Sequence, residues 1–139
     1  MRIMGLDVGD KRIGIALSDP LGWTAQGHSV LHRTTMENDL KSIQQLCQEM
    51  EVEKLVIGFP RNMNGTIGPR AQQTEDFARR LQEYINLPLE FWDERMTTQI
   101  AERVLIQADV SRQKRRKVID KMAAINILQS FLDSLNKNW

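Results

Sequence analysis

Residues 2–18 read RIMGLDV, GDK, RIGIALS. Each seven-residue run is rich in Ile, Leu, Met and Val, and Gly9-Asp10-Lys11 between them is a tight-turn sequence. The runs therefore read as two strands, 2–8 and 12–18, joined as a hairpin. In the second, Ile13, Ile15 and Leu17 alternate with Gly14, Ala16 and Ser18. Side chains alternate between the faces of a strand. One face is thus bulky and the other small, which leaves room for another element to pack closely on the small side. Asp19-Pro20-Leu21-Gly22 is a turn signal, and a third strand is expected over 27–32. These three segments make an antiparallel meander.

Past the meander the period changes. Leu40, Ile43, Leu46, Cys47 and Met50 recur at helical spacing. Residues 54–59 (KLVIGF) read as a short apolar strand ended by Pro60, followed by a Gly/Asn-rich loop over 62–66. Phe77, Ala78, Leu81 and Ile85 mark a second helix, and 89–93 (LEFWD) a strand after Pro88. Thr97 or Thr98 is a cap for a third helix carrying Ile100, Ala101, Val104 and Leu105. A basic segment then leads to a fourth helix at about 118–135. Strands first, then α-β-α-β-α, imply an α/β fold: a mixed five-stranded sheet with helices on its faces. The 139 residues fit one domain, 1–139, with one core.

Composition narrows the function classes. Hydrophobic residues are 41% and charged residues 27%, values of a globular chain rather than a disordered one. The net charge of +1 means that any attraction to nucleic acid must come from local clustering. The single cysteine, Cys47, excludes an intramolecular disulfide and permits a reducing compartment. It lies on a helical apolar stripe, so a packed core thiol is expected rather than a nucleophile. The chain reaches Asp7 too soon for a signal-peptide apolar region, and no apolar run approaches the ~20 residues of a membrane helix. A soluble cytoplasmic protein is the expectation.

Three acids on separate elements carry the functional reading. Asp7 sits inside an apolar strand between Leu6 and Val8, where a carboxylate is costly unless paired, hydrogen-bonded or bound to a cation. Gly5 and Gly9 bracket it on the same face and suggest space for an ion or phosphate; a structural aspartate bonding to the turn is the alternative. Asp120 heads a helical stripe with Ala123, Ala124, Ile127 and Phe131, which would turn it toward the sheet rather than toward water; a solvated first-turn aspartate suited to the helix dipole is the alternative. Asp93-Glu94-Arg95 ends a strand, and in α/β sheets sites form beyond the carboxyl ends of strands. Clustered carboxylates need cations, and their hard oxygens suit Mg2+ or Mn2+. Two such ions would serve phosphodiester hydrolysis. Zinc is not expected, since His28 and His32 read as strand or surface residues without a ligand set. Over 109–121, six basic residues (Arg112, Lys114, Arg115, Arg116, Lys117, Lys121) against two acids (Asp109, Asp120) leave a local balance of +4. Placed just before Asp120, that segment could hold a phosphate backbone, or it could be a solvated loop. Lys11, Arg12, Arg61 and Arg70 are further candidates for phosphate contact, and Asn62 and Asn64 for contact with substrate.

Read in order, these motifs resemble the YqgF family, also called the RuvX family, described as Holliday junction resolvases or pre-16S rRNA nucleases. The matching pieces are Gly5-Leu6-Asp7-Val8-Gly9 with Gly14-Ile15-Ala16, and Gly58 to Gly65 (GFPRNMNG). Asp93 to Thr98 (DERMTT) and Lys117 to Ala124 (KVIDKMAA) complete the set. The resemblance covers nearly the whole chain. It implies a ribonuclease H-like fold, a bacterial cytoplasmic protein and an acidic triad of Asp7, Glu94 and Asp120 as metal ligands and catalytic groups. Many members of the wider ribonuclease H-like superfamily take an acid from the end of the fourth strand; here that place holds Gly58-Phe59-Pro60, and Glu94 from the fifth strand would have to substitute. The expected substrate is structured nucleic acid, precursor rRNA ahead of branched DNA, handled by a monomer or homodimer. Two other readings are a nucleotide-binding ATPase or kinase of the actin-like group, for which 139 residues leave little room, and a non-catalytic nucleic-acid-binding assembly factor.

Overall fold

The structure, a computed structural model, describes residues 1–59, 68–93 and 112–136, and for 112–118 the backbone alone. Strand β1 (Arg2–Val8) runs antiparallel to β2 (Arg12–Ser18), with Met4 opposite Leu17 and Val8 opposite Ile13. Strand β3 (Ala25–His32) continues the meander on the far side of β2. Helix α1 (Met36–Glu49) then crosses the sheet and delivers β4 (Val52–Phe59) parallel to β1 on its free side. Helix α2 (Pro69–Tyr84) crosses again and delivers β5 (Leu89–Asp93) parallel to β4. The order is β3-β2-β1-β4-β5. Helix α3 (Arg112–Leu135) completes the fold.

The alternation in β1 explains the three layers. Met4, Leu6 and Val8 point to one face, where Leu40, Ile43 and Cys47 of α1 and Phe77, Ala78 and Leu81 of α2 close the larger core. Ile3 points to the other face, together with Ala16 and Val56, and among the described helices α3 covers it with Ala124, Ile127, Leu128, Phe131 and Leu132. The helix lies unusually close to the sheet because small residues meet there. A Cβ on Gly5 would come within 2.8 Å of the Leu128 Cβ and 3.2 Å of the Ala124 carbonyl oxygen. At Gly14 a Cβ would overlap the Asp120 carbonyl outright, 2.8 Å from its carbon. At the β5 side the Trp92 and Phe131 rings meet edge to face at 5.5 Å, and Trp92 Nε1 donates to Ser130 Oγ at 2.9 Å. The helix thereby ties β5 to β3, where Gln129 Oε1 accepts from the Ala25 amide at 2.9 Å.

Local sequence sets the element ends. Thr35 caps α1, its hydroxyl accepting from the Asn38 amide at 3.1 Å, and Glu37 and Asp39 suit the positive end of the helix dipole. Pro69 opens α2, where its missing N–H costs nothing. Strands β3 and β4 begin two residues earlier than their apolar runs suggest, at Ala25 and Val52. The basic segment is not a loop leading to the last helix: α3 starts at Arg112. Arg, Lys and Gln are good helix formers, and no Gly or Pro interrupts them, so the run propagates backward from the packed part of the helix. The third helix expected after Thr97 or Thr98 and the loop over 62–66 lie outside the described residues. Among the described residues no helix is long and apolar enough to cross a membrane.

Candidate active site

Asp7 is the penultimate residue of β1, at the carboxyl edge shared by the parallel strands β1, β4 and β5. Burial leaves it 8% exposed. Arg70, in the first turn of α2, brings Nη2 to 3.4 Å from Asp7 Oδ1. A carboxylate in this position is a local negative charge in a poorly hydrated place, and a guanidinium answers it.

The hairpin register sets Asp7 opposite Gly14. The absent side chain of Gly14 lets α3 rest its Asp120 carbonyl against the strand. Asp120 therefore stands over the residue paired with Asp7, although 112 residues of chain separate the two acids. Its carboxylate does not point to open water. Asp120 Oδ2 accepts from Arg12 Nε at 2.8 Å, and both side chains are about one fifth exposed, at 20% and 22%. The glycines beside Asp7 do something other than admit an ion. The space at Gly5 is filled by Leu128 and Ala124, and a Cβ on Gly9 would lie 2.9 Å from the Arg12 carbonyl oxygen inside the turn.

Other sequence candidates are distributed around this centre. Lys11 is exposed in the hairpin turn. Arg12 opens β2 and is committed to Asp120. Arg112, Lys114, Arg115, Arg116 and Lys117 belong to the first turns of α3 by backbone, with side chains outside the described residues. Glu94, Arg61, Asn62 and Asn64 also lie outside the described residues. The chain leaves β5 at Asp93, whose register partner is Phe59, on the same edge as Asp7. Among the described residues no group of three or more His, Cys, Asp or Glu side chains converges to hold a metal ion. His28 and His32 are exposed on β3, and Cys47 is buried in the core.

One constellation near the site has no counterpart in the sequence reading. Asp39, 2% exposed in α1, accepts from Arg33 Nε at 2.9 Å and from the Thr34 amide at 3.1 Å. Arg33 Nη1 also donates to the Gly9 carbonyl at 2.9 Å, and its guanidinium lies 5.1 Å from the centre of the Phe77 ring. The turn beyond Asp7 is thereby braced against α1 and α2. The signal was available: Asp39 shares the helical stripe of Leu40, Ile43 and Cys47, as Asp120 shares that of Ala124 and Ile127.

Over residues 1–134 the sequence matches the family described as RuvX: Holliday junction resolvase. A Syntrophomonas wolfei protein is 60% identical over 141 aligned positions, covering all of both chains. A Bacillus subtilis protein is 54% identical over 138 positions, covering 98% of this chain and all of its own. Both bear the name "Putative pre-16S rRNA nuclease". Among solved structures, the Fowlpox virus resolvase with substrate Holliday junction DNA superposes with a TM-score of 0.61 at 15% identity, covering 97% of this chain and 99% of its own. Thermus thermophilus RuvC with a Holliday junction substrate gives 0.57 at 11% identity, covering 98% and 96%. At such identities the likeness is one of fold, and it is the ribonuclease H-like fold of resolvases. Family match, close relatives and fold agree, and the chain belongs to the RuvX family, a nuclease that hydrolyses phosphodiester bonds.

Proposed function

We propose that this protein is a divalent-metal-dependent nuclease that trims the 5′ extension of the small-subunit rRNA precursor in the cytoplasm, with Asp7, Glu94 and Asp120 as its metal-ligating acids. The observation that carries the reading is the seating of Asp120 over Gly14, the register partner of Asp7. A helix that needs a glycine beneath it brings one acid over the register partner of another, and in this structure each carboxylate is answered by an arginine, Arg70 at Asp7 and Arg12 at Asp120. A cation shared by the two acids would supply the same compensation. The donor set fits a hard ion: carboxylate oxygens at a partly buried strand end, with the histidines on a different strand and the cysteine in the core. Bound there, Mg2+ or Mn2+ would supply charge stabilisation at the reacting phosphate and a water nucleophile at neutral pH.

The chain's own residues do the rest. Packing of α3 on Gly5 and Gly14 fixes the Asp120 backbone, and the Arg33–Asp39 brace fixes the turn beyond Asp7. Both acids are thus held before substrate arrives, so little reorganisation is needed at the reacting centre. Lys11 and the basic turns that open α3 offer phosphate contacts on the approach to Asp120. The precursor-rRNA substrate is supported by the names of the close relatives. The family's description supports a second reading, four-way DNA junctions. The test is cleavage with Mg2+ or Mn2+ of an RNA carrying the 5′ extension and of a four-way junction at equal salt, with Asp7→Asn as the control. RNA trimming that Asp7→Asn abolishes while nucleic-acid binding persists is the expected result. Symmetric junction cuts without RNA processing would select the second reading, and cleavage of neither, with tight binding, would make the protein a non-catalytic assembly factor.

A further inference from the structure

We infer that Arg12 is a positioning residue with two settings: it holds Asp120 while the cation is absent and turns to a substrate phosphate when the cation takes its place. The inference rests on the metal-dependent reading above. Arg12 Nε donates to Asp120 Oδ2 at 2.8 Å, so the guanidinium engages one of the two carboxylate oxygens and supplies the positive charge that a bound cation would otherwise bring. A guanidinium has five N–H donors in a fixed fork, and the Nε bond leaves the terminal amino groups for a second acceptor. The pair is neither sealed in the core nor loose on the surface, with 22% and 20% of the two side chains exposed. Part of each side chain is open to solvent. The Arg12 backbone is pinned by the Gly9 amide, which donates to its carbonyl at 2.9 Å, and by the pairing of β2 with β3. Only the side chain needs to rotate.

The physics of exchange follows. An arginine and a divalent cation at one carboxylate repel each other, and the cation carries twice the charge in a smaller volume, so it is the guanidinium that yields. Once displaced, the guanidinium stands within a side chain's length of the reacting centre with its charge uncompensated. A substrate phosphate at the site is then an anion for which an arginine fork is well shaped. Cation binding and nucleic-acid binding thereby become linked, and linkage is reciprocal. An Arg12–Asp120 pair that only pins α3 to β2 would give no such coupling.

The experiment compares the intact protein with Arg12→Gln and Arg12→Lys, each checked by thermal melting. Mn2+ affinity is measured by calorimetry, and affinity for the 5′-extension RNA with and without Ca2+, a cation whose oxygen coordination is loose enough to hold the site without demanding cleavage geometry. In the wild type, Ca2+ should tighten RNA binding about fivefold or more, the lower end of ordinary couplings. Arg12→Gln should bind Mn2+ more tightly than wild type and lose the Ca2+ effect on RNA, while Arg12→Lys keeps part of it. In wild-type protein, which needs no variant to fold, the Arg12 Nε–H resonance should shift and exchange faster with water as Mg2+ is added. Saturable Mn2+ binding that Asp7→Asn abolishes, with the Arg12 resonance and the coupling unchanged, would overturn the inference alone. No saturable Mn2+ binding by the wild type would overturn the metal-dependent reading and this inference with it.

Discussion

Gly14→Ala is the sharpest probe of how the site is assembled. The new Cβ would overlap the Asp120 carbonyl, 2.8 Å from its carbon and 3.5 Å from the Ala124 Cβ. Carbon atoms rest comfortably at about 3.5–4 Å, so α3 would have to retreat by roughly 1 Å. Backbone meets backbone here, and no rotamer change relieves it. Overpacking of this kind costs about 1–3 kcal/mol, offset by about 0.4–1 kcal/mol because alanine stiffens the unfolded chain. A net loss of about 1.3 kcal/mol lowers the melting temperature by about 4–5 °C for a chain of this size. Two neighbours calibrate the result. Gly5→Ala meets the Leu128 Cβ at 2.8 Å and should lose comparable stability, further along α3 from Asp120. Gly27→Ala meets first the tip of Ile125, Cδ1 at 3.1 Å, which can rotate away, and should be nearly silent. Cleavage adds the functional arm: a shift of about 1 Å in Asp120 should slow turnover about 100-fold, measured at 25 °C where the variant is folded, with Gly5→Ala losing less. A Gly14→Ala protein that melts with the wild type and cleaves at full rate would refute the close seating of α3 as the device that brings the acids together.

Replacing Arg112, Arg115 and Lys117 together by alanine should weaken binding to duplex nucleic acid of any sequence and shrink the log-log salt slope by about 2.7 units, at about 0.9 per phosphate lost; an unchanged slope would make the basic turns of α3 a solvated surface. Burial pushes the Cys47 thiol from 9.0 up to about 11, so iodoacetamide at pH 8 should label it only after denaturation, and rapid labelling of native protein would contradict the packing. Because its folded value lies above the unfolded one, the Cys47 contribution to stability is intact below pH 9. It is lost between about pH 9 and pH 11, as the unfolded thiol ionises first; a Cys47→Ala protein should lack that part of the alkaline decline.

The sheet was legible because the signals in its strands are local. Alternation in 12–18 forecast a small face, and α3 occupies it. The stripe behind Asp120 forecast an acid facing the sheet rather than water, and Asp120 meets Arg12 there. What escaped was non-local or unpatterned. Nothing near Asp7 in the chain announces Arg70, because 63 residues and a crossover connection separate them. The first turns of α3 carry no apolar period, so a run of charges looked like a loop although every residue in it favours helix. Asp39 was hidden differently: an acid beside Leu40 passes for a first-turn dipole partner until its Arg33 contact is seen. The glycines around Asp7 were read as vacancy for a ligand, whereas Gly5 is vacancy for a helix.

Among the described elements one face of the sheet is covered by α3, which follows the strands in the chain, and this has a consequence for the newly made chain. A domain folds as a unit once its parts have been made. Residues 2–18, which carry Asp7, are made long before residues 112–135 have been added. Until then Ile3, Ala16 and Val56 face water, and Asp120 has not been built into the chain. A chain interrupted before α3 therefore presents an open greasy face without an assembled nuclease centre, material for chaperones rather than a premature cutter of RNA. The same docking step that buries the second face brings Asp120, so under the proposed role of that acid hydrolytic competence and the finished core arrive together.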